Sequence, residues 1–151
     1  MLKNSIFLTV ISGVLIFATQ KIISELYIAP IIDFKKCLAK IETSMVRWSF
    51  LYKFEYKNNG LVGANGTMDE AIENFRKELN NLATELLGAY SSLPFLEKKW
   101  LQIKGIDISE AKSALLGLSV TIGSKGDWNT EESKAEKEID RVYKYLRFEK
   151  K

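Results

Sequence analysis

The chain opens on an uninterrupted apolar stretch. Residues 5–20 read Ser-Ile-Phe-Leu-Thr-Val-Ile-Ser-Gly-Val-Leu-Ile-Phe-Ala-Thr-Gln and carry no charge. Lys21 follows, and the apolar pattern then resumes with Ile22, Ile23, Leu26, Tyr27 and Ile28. A spanning helix needs roughly 17–25 mostly apolar residues. This segment reaches that length if the Lys21 ammonium snorkels toward the headgroups, which predicts a transmembrane anchor over residues 1–29. Lys3 before an apolar run also suits a secretory signal. Ala18-Thr19-Gln20-Lys21 is a poor cleavage site, however, and the helical pattern runs on as far as Pro30. A helix lying in the interface would need a strongly polar face, which residues 5–20 lack.

Beyond Pro30 the apolar residues fall at Ile31, Phe34, Leu38, Ile41, Met45, Trp48 and Tyr52, alternating steps of three and four. That is a heptad-like seam and predicts a juxtamembrane helix over residues 30–56. Proline is tolerated in a first turn, so the membrane helix is expected to bend or restart there. Phe50, Leu51 and Phe54 add a second apolar face, so this helix can touch two neighbours, its own domain and another copy.

Residues 57–66 are rich in Asn and Gly and read as a loop. Thr67 and Glu70 have capping-box spacing and open a helix with Ile72, Phe75, Leu79, Leu82 and Leu86 on its core face. Ser92 and Pro94 open a shorter helix that carries Phe95, Leu96, Trp100 and Leu101 and stops at Gly105. Asp107 and Glu110 repeat the capping spacing ahead of Ile108, Ala111, Leu115, Leu118 and Ile122. After a turn at residues 123–127, a last helix from about Thr130 to Phe148 buries Ile139, Val142, Tyr143 and Leu146. No alternating β-branched run appears. The expected fold is all-α: a transmembrane helix, a long juxtamembrane helix, and a small cytosolic helical bundle over residues 67–151 packing on residues 30–56.

The charge distribution sets orientation. Lys3 and the chain amine precede the span, while Lys21, Lys35, Lys36, Lys40 and Arg47 follow it. That bias places the C-terminal bulk in the cytoplasm, at a bacterial inner membrane. The single cysteine, Cys37, calls for no oxidising compartment and reads as a small buried hydrophobe. With 22 basic and 19 acidic residues, the net charge of +3 is too balanced to imply nucleic acid.

Histidine is absent. This excludes Ser-His-Asp and Cys-His nucleophiles, histidine-dependent nucleases and His-ligated zinc, and one cysteine cannot build a thiolate zinc site. Gly123-Ser-Lys-Gly126 lacks Walker spacing and a preceding strand, so it reads as a connector. Glu131, Glu132, Glu136 and Asp140, interleaved with Lys134 and Lys137, read as a solvated helix face. No enzyme, metal site or cofactor is expected. The basic, aromatic C-terminus, with Arg141, Lys144, Arg147, Lys150 and Lys151, is open to three readings: a positive frayed helix end, a surface for anionic lipid, or a nucleotide or nucleic-acid surface.

Within the span, Ser5, Thr9, Ser12, Ile16, Thr19, Gln20 and Ile23 fall within about a third of the circumference at about 100° per residue. Gly13 borders them, and Lys21 lies roughly opposite. Small and polar groups on one face suit another helix or a water-filled lumen, although Ser and Thr in any span can also bond their own backbone.

Several segments resemble a group of small bacterial single-span membrane proteins of unassigned function. They are Gln20-Lys-Ile-Ile, Tyr27-Ile-Ala-Pro-Ile-Ile-Asp-Phe-Lys-Lys36, Ser92-Leu-Pro-Phe95, Ser109-Glu-Ala111 leading to Leu115-Leu-Gly-Leu-Ser119, and Ile139 to Leu146. The resemblance implies this topology and an all-α fold, and it brings no catalytic residues. In layout alone the chain is also similar to small membrane accessory proteins of antiviral defence systems. The leading expectation is a non-enzymatic, self-associating membrane protein that forms a pore or perturbs the membrane as an effector. The alternative is an anchor or scaffold whose bundle binds a cytosolic protein partner or senses a nucleotide.

Overall fold

A proline near the middle of a long apolar helix removes one backbone donor and crowds the carbonyl four residues earlier, and the chain accommodates Pro30 by widening a turn. The computed structural model describes the backbone of residues 2–49, 66–122 and 128–148, and the side chains of residues 9–49, 70–122 and 134–148. Helix α1 (Leu2–Ile23) passes through a π turn (Ser24–Ile28) into α2 (Ala29–Arg47). The Ala29 N–H bonds the Ser24 carbonyl, five residues back. This π-type closure lets the helix run past a residue that cannot donate. The backbone at Ile23, Ile28 and Ala29 stays right-handed helical, with no side-chain cap at Ile23 or Ile28. The helix therefore does not restart at Pro30.

Helices α3 (Gly66–Ser92), α4 (Phe95–Ile103), α5 (Ile108–Thr121) and α6 (Trp128–Leu146) follow. No strand occurs among the described residues. The chain is all-helical, and among the described residues one helix, at the N-terminus, is long and apolar enough to cross a membrane, with none of its most apolar stretch buried.

Hydrogen bonds and ion pairs give the packing directions. Near the start of α2, Phe34 meets Tyr90 of α3 at a ring separation of 6.5 Å. Lower down, Lys40 pairs with Glu85. At the far end the Trp48 indole N–H donates to Glu78 at 2.7 Å. Helix α3 is thus antiparallel to α2. The Ser119 hydroxyl donates to the Asn80 side chain at 2.9 Å, and Arg76 donates to the Ile122 carbonyl at 2.8 Å, which sets α5 antiparallel to α3. Arg141 reaches Glu110 at 2.6 Å, and the Asp107 N–H donates to the Tyr145 carbonyl at 3.3 Å. Helix α6 therefore returns along α5 toward α1.

The core follows from this arrangement. Phe34, Cys37, Ile41 and Met45 of α2 lie against α3, which buries Ile72, Phe75, Leu79, Leu82 and Leu86. On the other side of α3 come Ile108, Ala111, Ala114, Leu115, Leu118 and Ile122 from α5, then Ile139, Val142 and Leu146 from α6. A fully buried side chain of this size contributes about 1.5–3 kcal/mol. Ser44 sits in the same core, 1% exposed, and its hydroxyl has no hydrogen-bond partner among the described residues. At the start of α5 the Asp107 carboxylate accepts the Glu110 N–H at 3.0 Å, as an N-cap does. The reciprocal half of a capping box is missing, because the Glu110 carboxylate is turned to Arg141.

Candidate membrane-facing site

The N-terminal helix supplies the first candidate surface. From Thr9 to Ala29 every described side chain is exposed, so none of the described residues covers this apolar rod. The Ser5 side chain lies outside the described residues. Ser12 donates to the Thr9 carbonyl at 2.9 Å, and Thr19 donates to the Leu15 carbonyl at 2.8 Å. Both hydroxyls thereby satisfy themselves within the helix, and no partner is needed to solvate them in lipid. Gln20 is exposed on the same face, and Gly13 has open space where a Cβ would sit. Lys21 and Glu25 form an i,i+4 pair at 3.9 Å. The pair lies within the rod, and Glu25 offsets the charge of Lys21.

The seam predicted along α2 faces inward. Phe34, Ile41 and Met45 are buried, and Ile31, Leu38 and Trp48 are partly buried against the same core. Trp48 stacks on Phe75 with ring centroids 5.4 Å apart. The buried residues of this row are taken up by the chain's own core, and Ile31, Leu38 and Trp48 are partly covered by it. Tyr52, and the second face at Phe50, Leu51 and Phe54, lie outside the described residues. Cys37 lies in this packed layer. Burial, reinforced by the Glu85 carboxylate and opposed by Lys40, pushes its thiol up to about 11.

At the end of the bundle nearest α1, two helices terminate side by side. Helix α4 closes with the Gly105 N–H on the Gln102 carbonyl and the Ile106 N–H on the Leu101 carbonyl, at 2.9 and 3.0 Å. Helix α6 closes with the Phe148 N–H on the Tyr143 carbonyl at 3.0 Å. Both have the C-terminal geometry that needs a left-handed residue. That residue is Gly105 in one, with φ 72°, and Arg147 in the other, with φ 59°. The usual apolar contact accompanies the second, as Phe148 meets Tyr143 edge-on at 6.1 Å.

The basic C-terminal residues divide accordingly. Arg141 is bound to Glu110 and to both oxygens of Glu138. These hydrogen bonds raise its already high pKa and leave it a structural clamp between α5 and α6 rather than a ligand for phosphate. Lys144 and Arg147 are exposed. Lys150 and Lys151 lie outside the described residues. Sequence reasoning missed α4 as a surface: Phe95, Leu96, Trp100 and Ile103 are all exposed, and Leu101 alone of its apolar residues is buried.

The remaining candidates are poorer. An open groove of about 440 Å³ between α3 and α5 is lined by Glu73, Arg76, Asn80, Leu116, Ser119 and Val120. Its central polar groups are engaged in holding the two helices together. The Gly123–Gly126 segment, Glu131 and Glu132 lie outside the described side chains, while Glu136 and Asp140 are exposed. Among the described residues no three acidic or thiol groups cluster as metal ligands. No protein-family model matches this chain, and no curated protein or solved structure matches it either.

Proposed function

We propose that this is a non-enzymatic, single-span membrane protein that holds a helical bundle against the cytoplasmic surface of the bilayer and works by binding a protein partner there. The supporting observation is the rod of α1. It is fully exposed along its described length, and its hydroxyls are satisfied internally. Such a helix is at home in lipid without further partners. The full-length chain should resist alkaline carbonate extraction from membranes, and a C-terminal tag should be digested only when the cytoplasmic face is open to protease. Release into the soluble fraction, or a mature chain lacking its first helix, would overturn this reading.

Self-association through the span is the second reading, with pore formation or membrane perturbation as its consequence. It is favoured by Gly13, which leaves open space beside Ser12 on one face of α1. Small residues of this kind let helix backbones approach closely in lipid. The inward-facing part of the α2 seam gives this assembly no support, so among the described residues the contact would rest on α1.

A further inference from the structure

The antiparallel packing of α3 on α2 brings α4 to the α1 end of the bundle. Tyr90, near the end of α3, lies against Phe34. Phe34 is about 9 Å of helix rise beyond Ile28, the last residue of the π turn. The chain continues through Ser92 into α4, which therefore starts close to the level where the apolar rod ends. Its outward face is apolar and large: Phe95 is 75% exposed, Leu96 68%, Ile103 78% and Trp100 46%. At about 100° per residue these four, with Lys99 among them, occupy one side of the helix. Leu101, on the opposite side, is buried in the core.

The same end is basic. Lys99 of α4 and Lys104 just past its end are exposed, and Lys104 lies over the Trp100 ring at 3.8 Å. Arg147 brings its guanidinium against Gly105 from the end of α6, and exposed Lys144 stands one turn earlier. Aromatic and aliphatic side chains interleaved with lysines are what an interfacial helix presents to a lipid surface, and basic groups beside a span are attracted to anionic headgroups.

We infer that the α4 face lies on the bilayer surface, with Phe95, Leu96, Trp100 and Ile103 entering the interfacial layer and Lys99, Lys104 and Arg147 meeting the phosphates of anionic lipid. This rests on the reading of α1 as a span, and it adds a second, composition-dependent contact between bundle and membrane. Its consequence is that the α4 face enters the interface of anionic bilayers and stays in water over neutral ones.

The test uses the full chain carrying Ile103→Cys, labelled with a polarity-sensitive fluorophore. Cys37 is 1% exposed, so the unsubstituted chain, taken through the same labelling, serves as the blank. The labelled chain is reconstituted into phosphatidylcholine vesicles with and without phosphatidylglycerol. The label should turn blue and lose iodide quenching several-fold only with phosphatidylglycerol, and Lys99→Glu with Lys104→Glu should restore the quenching while the chain still floats with the vesicles. Equal quenching on both vesicles, with the chain fully floated and carbonate-resistant, overturns the inference and leaves the span intact. Failure to float overturns the span reading itself. Protection that is equal on neutral vesicles and in detergent, where the chain runs as a dimer, assigns the face to a second copy and also overturns the inference.

Discussion

Arg147 lays its guanidinium over Gly105: a Cβ built on Gly105 would fall 2.8 Å from Arg147 Nη2, and both residues hold left-handed backbones. Two helix C-termini converge at this point, and their exposed carbonyls favour the positive charge placed there. Glycine adopts this backbone freely, whereas a side chain in it costs about 1–2 kcal/mol. Gly105→Ala is therefore expected to lower stability by about that amount. The guanidinium is the far end of a flexible side chain and can move aside. Arg147→Gly, which relieves the same backbone cost at the other terminus, should leave stability unchanged or raise it. Denaturant unfolding of the full chain in mild detergent measures both, and equal losses in the two variants would refute the assignment.

Ser44 gives a prediction of opposite sign. Its hydroxyl is buried without a partner among the described residues, and an unsatisfied buried polar group costs about 1–3 kcal/mol. Ser44→Ala should raise the thermal midpoint and stabilise the chain by about 1 kcal/mol. A drop in midpoint would mean that the hydroxyl has a role the packing does not reveal.

Trp48 separates stacking from hydrogen bonding. Trp48→Phe keeps a ring against Phe75 but removes the donor to Glu78. The expected loss is about 1–2 kcal/mol, since the acceptor is a carboxylate. Combining it with Glu78→Gln should give much less than the sum of the two single losses.

Cys37 predicts a pH window. Its thiol, raised by burial and Glu85 to about 11, holds its proton more tightly folded than unfolded. Its contribution is fully present below the ordinary thiol range and is lost as pH rises from there toward about 11. In the native chain it should resist maleimide near neutral pH and react at once on unfolding. Rapid native labelling would show that the α2–α3 layer opens readily.

If spans self-associate through the small-residue face, Gly13→Leu should abolish cross-linking between copies in vesicles, whereas Val14→Leu should not. Identical cross-linking in both variants would remove this face from consideration.

Much of the bundle was readable from periodicity. Ile72, Phe75, Leu79, Leu82 and Leu86 recur at helical spacing and all are buried. The short helix and its stop at Gly105 were also legible, because a glycine past the last turn carries a backbone signal. Three features were not. Helix α4 is short and apolar on more than one side, so spacing alone could not tell that Leu101 faces inward while Phe95, Leu96 and Trp100 face out. Arg147 in a left-handed backbone has no residue-type signature. Arg141 looked like part of a basic tail, and only the return of α6 along α5 brings Glu110 within its reach. The α2 seam was recognised, but periodicity does not say which helix it meets.

The π turn ahead of Pro30 also fixes an angle. In an uninterrupted α-helix, the stripe of Thr9, Ser12 and Thr19 and the buried row of Phe34, Ile41 and Met45 would share nearly the same azimuth. One extra residue in the turn displaces the second row by about 100°. By this helix arithmetic the buried row lies roughly a quarter-turn round the helix from the stripe rather than directly below it. A neighbouring rod can come alongside that stripe without meeting the cargo below. Deleting one residue between Ser24 and Ile28 would swing the cargo underneath and shut that approach.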